Sequence, residues 1–300
     1  MSSEYQSLPP ATRQAAMSAA EALAPEQSVD EVRESLSVTE KGQPANTIGN
    51  CRTVFCHDPL LRGAIRLNLL TDRVDIVRDL GWRRNTSALT DTDVKYLLLY
   101  FEQNYGLTSE KKMTAALSIV ANENCYHPIQ DVLNGLVWDE TPRIRSCLHH
   151  FLGAEVSDYV EEMLKHFLLG AIRRVFSPGS KYEEMLCLVG GQGAGKSSFF
   201  RLLAIRDEWF SDDLKKLDDD RVFLKLQGHW IIEMSEMLAT SSAKSIEEIR
   251  SFISRQKETY RTPYEPSPKT GCGSVCSAVL PTRWTSCPLT GPGTGVSFPS

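Results

Sequence analysis

The sequence has no long apolar run, no C-x-x-C pair and no strong excess of charge of either sign. None of its 300 residues belongs to a stretch that approaches a membrane span, so we expect no membrane association. Its 38 acidic and 33 basic residues nearly balance, which argues against a general polyanion-binding protein. The first 25 residues lack the apolar centre of a signal peptide, and the eight cysteines lack the spacing of a zinc site. These absences predict a cytoplasmic protein with reduced cysteines.

One segment fits a pattern that binds phosphate. Residues 190–197 read GGQGAGKS, which matches G-x-x-x-x-G-K-[ST]. The apolar residues 185–189 before it predict a buried strand, and residues 198–203 after it predict a helix. Glycines let backbone N–H groups surround phosphate oxygens, and the helix directs its positive end to the same place. We therefore predict a nucleotide-binding loop made of Gly190, Gly191, Gln192, Gly193, Ala194, Gly195, Lys196, Ser197 and Ser198.

The loop and one later strand supply the predicted catalytic groups. Lys196 is expected to contact the β- and γ-phosphates of ATP, and the Ser197 hydroxyl is expected to ligate Mg²⁺. Residues 229–236 read HWIIEMSE, which predicts a buried strand that ends in carboxylates and delivers negative charge to the metal. Glu233 is expected to serve the metal and Glu236 to orient the attacking water, but spacing leaves open which glutamate does which. Without the nearby loop, the same pattern would fit an ordinary amphipathic strand.

For three other side chains, a surface or structural role is the simpler interpretation. Arg261 either meets a phosphate, meets a neighbouring subunit or lies on the surface, and the surface role is the common one for an arginine. His57 and His127 have no carboxylate or cysteine at a spacing typical of catalysis or metal binding. We expect both histidines to be structural.

Composition divides the chain into four parts. Residues 1–45 are polar and predict a flexible leader with one short helix near residues 28–36. Residues 46–180 predict a mostly helical region, and residues 181–269 predict an ATPase core around the loop. Residues 270–300 are rich in Gly, Pro, Ser and Thr without periodicity, which predicts a disordered tail.

Start signals place the helices of the helical region. Asp58-Pro59 predicts one helix start, because proline suits the first turn. The cluster at residues 90–93 is expected to cap the next helix, and further helices are predicted to start at Ser109 and to extend from Ser157 to Phe176. Short strands are predicted at residues 65–68 and 74–76.

Motifs from Leu36 to Pro268 together resemble one family. They include LTDTD at residues 89–93, LVWD at 136–139, the glycine loop, QGHWIIEMSE at 227–236 and YRTPY at 260–264. The chain resembles the virulence-associated protein E family, which consists of P-loop proteins of bacterial prophages and mobile elements similar to the helicase-like ATPase halves of phage primases. The resemblance implies an α/β fold, with a helicase- or AAA+-like P-loop core preceded by a mostly helical domain. It also implies an Mg²⁺-dependent ATPase in replication of the element, with DNA and a primase as partners and a homo-oligomeric ring as its assembly.

Other functions fit the same loop. The chain is either a motor, a non-motor protein whose ATP-bound form docks a replication partner, or an inactive truncated relic. A small-molecule kinase also uses such a loop, but no acceptor or lid motif is evident.

The sequence departs from the family after Lys269. If one base is restored before the Thr270 codon, a choice of codons allows a reading that contains GTTN and GNRRF. These strings resemble the polar sensor and the arginines that the family carries next. We interpret residues 270–300 as frame-shifted, which leaves the core incomplete at its C-terminus. The sheet that carries the loop would then lose one strand-pairing neighbour and expose an edge. Because an arginine finger contributes about 10³–10⁵ in rate, we expect weak ATP binding and little hydrolysis from this chain.

Overall fold

The computed structural model describes residues 27–182, 184–191, 193–214 and 226–234, together with the backbone of four strands within 257–297. The chain forms two compact units, residues 1–128 and 129–300. The division therefore falls within the region that the sequence predicted as one helical part. Within the described residues, no helix is long and apolar enough to cross a membrane.

The first unit combines four helices with a small sheet. Its elements are α1 (Val29–Glu34), α2 (Ile48–His57), β1 (Ile65–Asn68), β2 (Arg73–Ile76), α3 (Asp91–Tyr105), α4 (Glu110–Glu123) and β3 (Cys125–Tyr126). Strand β1 pairs antiparallel with β2 and parallel with β3. The helices predicted to start at Thr90 and Ser109 are confirmed as α3 and α4; the Thr90 side chain accepts a capping hydrogen bond, whereas the Ser109 side chain makes none.

The core of this unit begins earlier in the chain than predicted. Val32 of α1 is fully buried, and Leu36 is nearly so, in a cluster with Phe55, Leu97 and Phe101. The described part of the leader predicted for residues 1–45, from residue 27 onward, therefore contributes to this core. Residues 1–26 lie outside the described part of the chain.

The prediction that a helix starts at Asp58 is wrong. Asp58 instead follows the last residue of α2, with φ −62° and ψ 133°, and Thr47 caps the start of that helix. Proline at position 59 disfavours helical backbone in the residue before it, so the same Asp-Pro pair ends a helix here. The Asp58 carboxylate accepts hydrogen bonds from the Leu60 and Leu61 N–H groups and holds the turn that follows.

The second unit contains the glycine loop. Its helices are α5 (Pro128–Asn134, which begins at the last residue of the first unit), α6 (Ile144–Leu152), α7 (Asp158–Phe176) and α8 (Lys196–Leu203). Its strands are β4 (Leu186–Val189), β5 (Phe210–Ser211), β6 (Ile231–Glu233), β7 (Lys257–Tyr260), β8 (Lys269–Cys272), β9 (Cys276–Val279) and β10 (Gly295–Ser297). The helix predicted from Ser157 to Phe176 is confirmed as α7, with Ser157 as its N-cap.

Five strands form one parallel sheet in the order β10-β4-β9-β6-β5. Strands β7 and β8 form a separate antiparallel pair. The four residues of β4 are all buried, as expected of a strand with neighbours on both sides and covered faces. Parallel strands end at the same edge, so the loop after β4 and the end of β6 lie at one edge of the sheet.

This sheet corrects the expectation of an open edge beside β4. The backbones of β9 and β10, both from residues 270–300, pair with β4 on its two sides. The expectation that this segment is disordered throughout is therefore wrong. Ladder hydrogen bonds join backbone groups, so a segment with little hydrophobic periodicity can still supply short strands.

Candidate functional site

The glycine loop joins β4 to α8 as the sequence predicted. Gly193 and Gly195 have φ of 82° and 81°, in the left-handed region that favours glycine. Gly195 precedes α8 without a side-chain capping bond, so the first N–H groups of the helix remain available to an acceptor. Gly190, Gly191, Ala194 and Ser198 lie in or directly beside this turn, whereas Gln192 lies outside the described residues. Helix N-termini with free N–H groups attract anions in general.

Lys196 folds back over the loop. Its side chain is buried, and its ammonium donates hydrogen bonds to the carbonyl oxygens of Gly190 at 2.9 Å and Gly191 at 2.7 Å. The Lys196 ammonium group is thus held beside the loop by neutral acceptors. A phosphate at this place would offer a stronger, charge-assisted acceptor than either carbonyl.

Glu233 and Ser197 are brought together, although 36 residues separate them. Glu233 is the last residue of β6 and only 2% exposed. Its Oε1 accepts a hydrogen bond from Ser197 Oγ at 2.9 Å. Among the described residues, the buried Oε2 has no hydrogen-bond partner. The sequence predicted that both residues serve one metal ion, and that role remains a prediction.

The electrostatics of Glu233 reflect this burial. Desolvation raises the pKa of the carboxyl, and the nearby charge of Asp212 raises it further. The Ser197 hydrogen bond and the positive charges of Arg201 and Lys196 act in the opposite direction but do not compensate. A buried carboxylate oxygen without a donor is costly in the absence of a cation.

The residues present fit Mg²⁺. This cation prefers oxygen ligands and usually takes one or two protein groups, and substrate phosphates and water supply the remainder. The unpartnered Glu233 Oε2 and the adjacent Ser197 Oγ provide such a pair of oxygens beside the predicted phosphate position.

Asp212 is a further acidic residue at this site that the sequence prediction missed. It directly follows β5, the neighbour of β6, and its charge acts on Glu233. It also lies 3.8 Å from the guanidinium of Arg201 on α8. The only sequence signal was an Asp-Asp pair after a two-residue strand, which is too short to recognise by periodicity.

The structure does not test the roles considered for two residues. Glu236 and Arg261 lie outside the described residues. The assignment of Glu236 to water activation therefore remains a prediction.

Solved structures of one protein are similar to the chain. The A form apo structure of the NrS-1 C-terminal region (305–718) has 12% sequence identity and a TM-score of 0.46, covering 79% of this chain and 58% of that one. Another apo structure of the region has 12% identity and a TM-score of 0.44, covering 78% and 58%. The chain thus matches less than two thirds of either structure. No curated protein is significantly similar in sequence.

The family comparison concerns the second unit. Residues 133–271 match the model of the virulence-associated protein E-like domain, whereas the predicted resemblance began at Leu36. The match takes in the glycine loop and Glu233, and it ends two residues after Lys269, where the sequence analysis places the departure from the family. Over residues 133–271, the predicted resemblance to that family is confirmed.

Proposed function

We propose that this chain binds Mg²⁺·ATP at the glycine loop and is an ATPase-type protein in the replication of a prophage or mobile element. The observation that carries the proposal is the Ser197–Glu233 hydrogen bond, which joins the loop to the strand carboxylate at 2.9 Å. An amphipathic strand without a role in the site would not require a buried glutamate at this point. The loop pattern and the family domain support the same conclusion.

Each residue has a role in this proposal. Backbone N–H groups at the start of α8 receive the phosphates, and Lys196 turns from the loop carbonyls to the phosphate oxygens. Ser197 Oγ and Glu233 would hold Mg²⁺, which would neutralise part of the phosphate charge. Glu236 orients the water.

Hydrolysis with and without DNA tests the motor role. Phosphate release would be measured with Mg²⁺ and ATP, in the presence and absence of single-stranded DNA. A motor predicts DNA-stimulated release that Lys196→Ala abolishes and Lys165→Ala, at an exposed lysine of the same unit, leaves intact. Release that is indifferent to DNA would contradict the motor, and release that survives Lys196→Ala would contradict the site.

A second candidate is a nucleotide-dependent interaction protein with little turnover. It is favoured by the end of the family match at residue 271, ahead of the expected sensor and arginine motifs. Tight ATP binding with negligible hydrolysis would support it. A chain restored to the alternative reading frame should then hydrolyse ATP about 10³-fold faster or more, if the GNRRF arginines act on the transition state. Equal rates would contradict the frame-shift hypothesis. DNA, a primase and a homo-oligomeric ring are the partners proposed for the restored form.

A further inference from the structure

Helix α6 ends beside the glycine loop. A Cβ atom built on Gly195 would lie 3.8 Å from Cδ2 of Leu152, the last residue of α6. The neighbouring Phe151 ring lies 6.2 Å from the Phe199 ring on α8, measured between centroids. The last turn of α6 is thus adjacent both to the loop and to the helix that follows it.

The position of α6 is fixed by contacts on its other sides. Arg145 in its first turn pairs with Asp158 and Glu161 of α7 at 3.0 and 2.9 Å, and Leu148 is buried. At its C-terminus, Gly153 adopts the left-handed conformation and donates a hydrogen bond to the His149 carbonyl. These contacts therefore hold the end of α6 in a defined place within the second unit.

Phe151 lies at this end of α6 and is exposed to solvent. Its residue surface is 56% accessible, although the ring contacts Phe199 on one side and meets the His150 ring edge-on at 4.8 Å. More than half of the residue's surface therefore remains open to a further planar group. Nucleobases stack on such rings, and the stacking tolerates any base because every base has a π-face.

We propose that Phe151 is the base-stacking residue of the nucleotide site. The inference rests on the proposed function, because it needs a triphosphate at the start of α8. A nucleotide held there extends its sugar and base away from the loop, and Phe151 is an exposed ring at the loop's border. The subsite accepts any base, because stacking does not read the base edges.

Calorimetric binding tests this subsite with three probes: ATP, GTP and inorganic tripolyphosphate, each with Mg²⁺. Phe151→Ala should weaken ATP and GTP alike, by about five- to tenfold, the lower part of the range for one stacked base. Tripolyphosphate should bind the variant as it binds the wild type, and Phe151→Tyr should keep full nucleotide affinity. Phe176→Ala is the matched control, because Phe176 is also exposed in this unit and ends α7.

The outcomes separate the two proposals. Unchanged ATP affinity in Phe151→Ala, or equal losses for ATP and tripolyphosphate, would overturn the stacking role while leaving the phosphate site standing. A wild-type chain that binds none of the probes would overturn the proposed function, and the stacking role with it. If Phe151→Ala fails to fold, Phe151→Leu keeps the apolar contact with Phe199 and must show the same selective loss.

Discussion

Glu233 places a carboxylate in a buried position where its Oε2 has no hydrogen-bond partner among the described residues. Glu233→Gln keeps an oxygen that can accept the Ser197 hydrogen bond but removes the charge. We expect Mg²⁺-dependent ATP hydrolysis to fall by about 10² or more, the scale for loss of one electrostatic group at a reacting centre. The free energy of unfolding should be unchanged or higher, because the variant buries no charge.

Steady-state phosphate release and denaturant unfolding of Glu233→Gln check this pair of effects. Glu208→Gln, at an exposed glutamate, is the control that should alter neither quantity. A variant that loses activity because it is less stable would contradict the account, since the carboxylate would then be structural.

Asp93 is the residue with the clearest pH dependence in the first unit. Burial by itself would raise the pKa of Asp93, but hydrogen bonds from Trp82, Thr90 and Arg84 outweigh it and hold the pKa below its ordinary value. A lowered pKa in the folded state gives stability that is complete above the ordinary value of 3.8 and is lost as the pH falls below it. Asp93→Asn should therefore cost about 1.5–3 kcal/mol at neutral pH and progressively less below about pH 4.

Urea unfolding of the wild type and Asp93→Asn at several pH values gives this difference directly. Asp91→Asn, at an exposed residue in the same first turn of α3, should give a smaller difference at neutral pH. A difference between wild type and Asp93→Asn that stays constant from about pH 7 to pH 3 would rule out the ionised carboxylate as its source.

At the scale of elements, α7 carries a close contact that its sequence does not suggest. An added Cβ on Gly170 would lie 2.2 Å from ring atoms of Tyr182, whose hydroxyl donates to the His166 carbonyl. Gly170→Ala should therefore destabilise the second unit by about 1–3 kcal/mol through overpacking, despite the higher helix propensity of alanine. The buried Trp230 indole also donates to the Ala171 carbonyl at 3.1 Å, so the strand before Glu233 depends on the same surface of α7.

Gly49→Ala in α2 is the control for Gly170→Ala. The nearest atom to a Cβ there is 3.9 Å away, so the substitution should stabilise the helix by up to about 1 kcal/mol. Opposite signs in thermal unfolding are expected. If Gly49→Ala and Gly170→Ala both stabilised the protein, Tyr182 would not pack against Gly170.

The sequence predicted the elements whose signals are local. The loop, its flanking strand and helix, and the helix starts at Thr90, Ser109 and Ser157 follow from turn and capping chemistry within a few residues. Asp58 was misread because Asp-Pro both starts and ends helices, and only the buried face of α2 decides between them. Asp212 and the pairing of β9 with β4 depend on long-range contacts, which leave no periodic signal in strands of two to four residues.

At the scale of the whole molecule, the two units differ in whether their structure depends on residues 273–300. The β9 and β10 backbones flank β4, whereas the cluster around Phe55 and Phe101 lies wholly within the first unit. A chain that ends at residue 272 should therefore lose amide protection in β4 while keeping it in α3. Hydrogen exchange followed by mass spectrometry would measure both in one sample.

A shortened chain that keeps the protection of β4 would contradict the pairing of β9 and β10 with that strand. Loss of protection in both units would contradict the division at residues 128 and 129. The full-length chain under the same conditions provides the reference for each peptide.

The most direct test of the central claim is calorimetric titration of ATP into the wild-type chain and Lys196→Ala, with and without Mg²⁺. The account predicts binding by the wild type that is tighter with Mg²⁺ and is lost in Lys196→Ala, because the ammonium binds the phosphates directly and the Ser197–Glu233 pair would hold the Mg²⁺ that neutralises them. ATP binding that is equal in both chains, or that is unaffected by Mg²⁺, would contradict it.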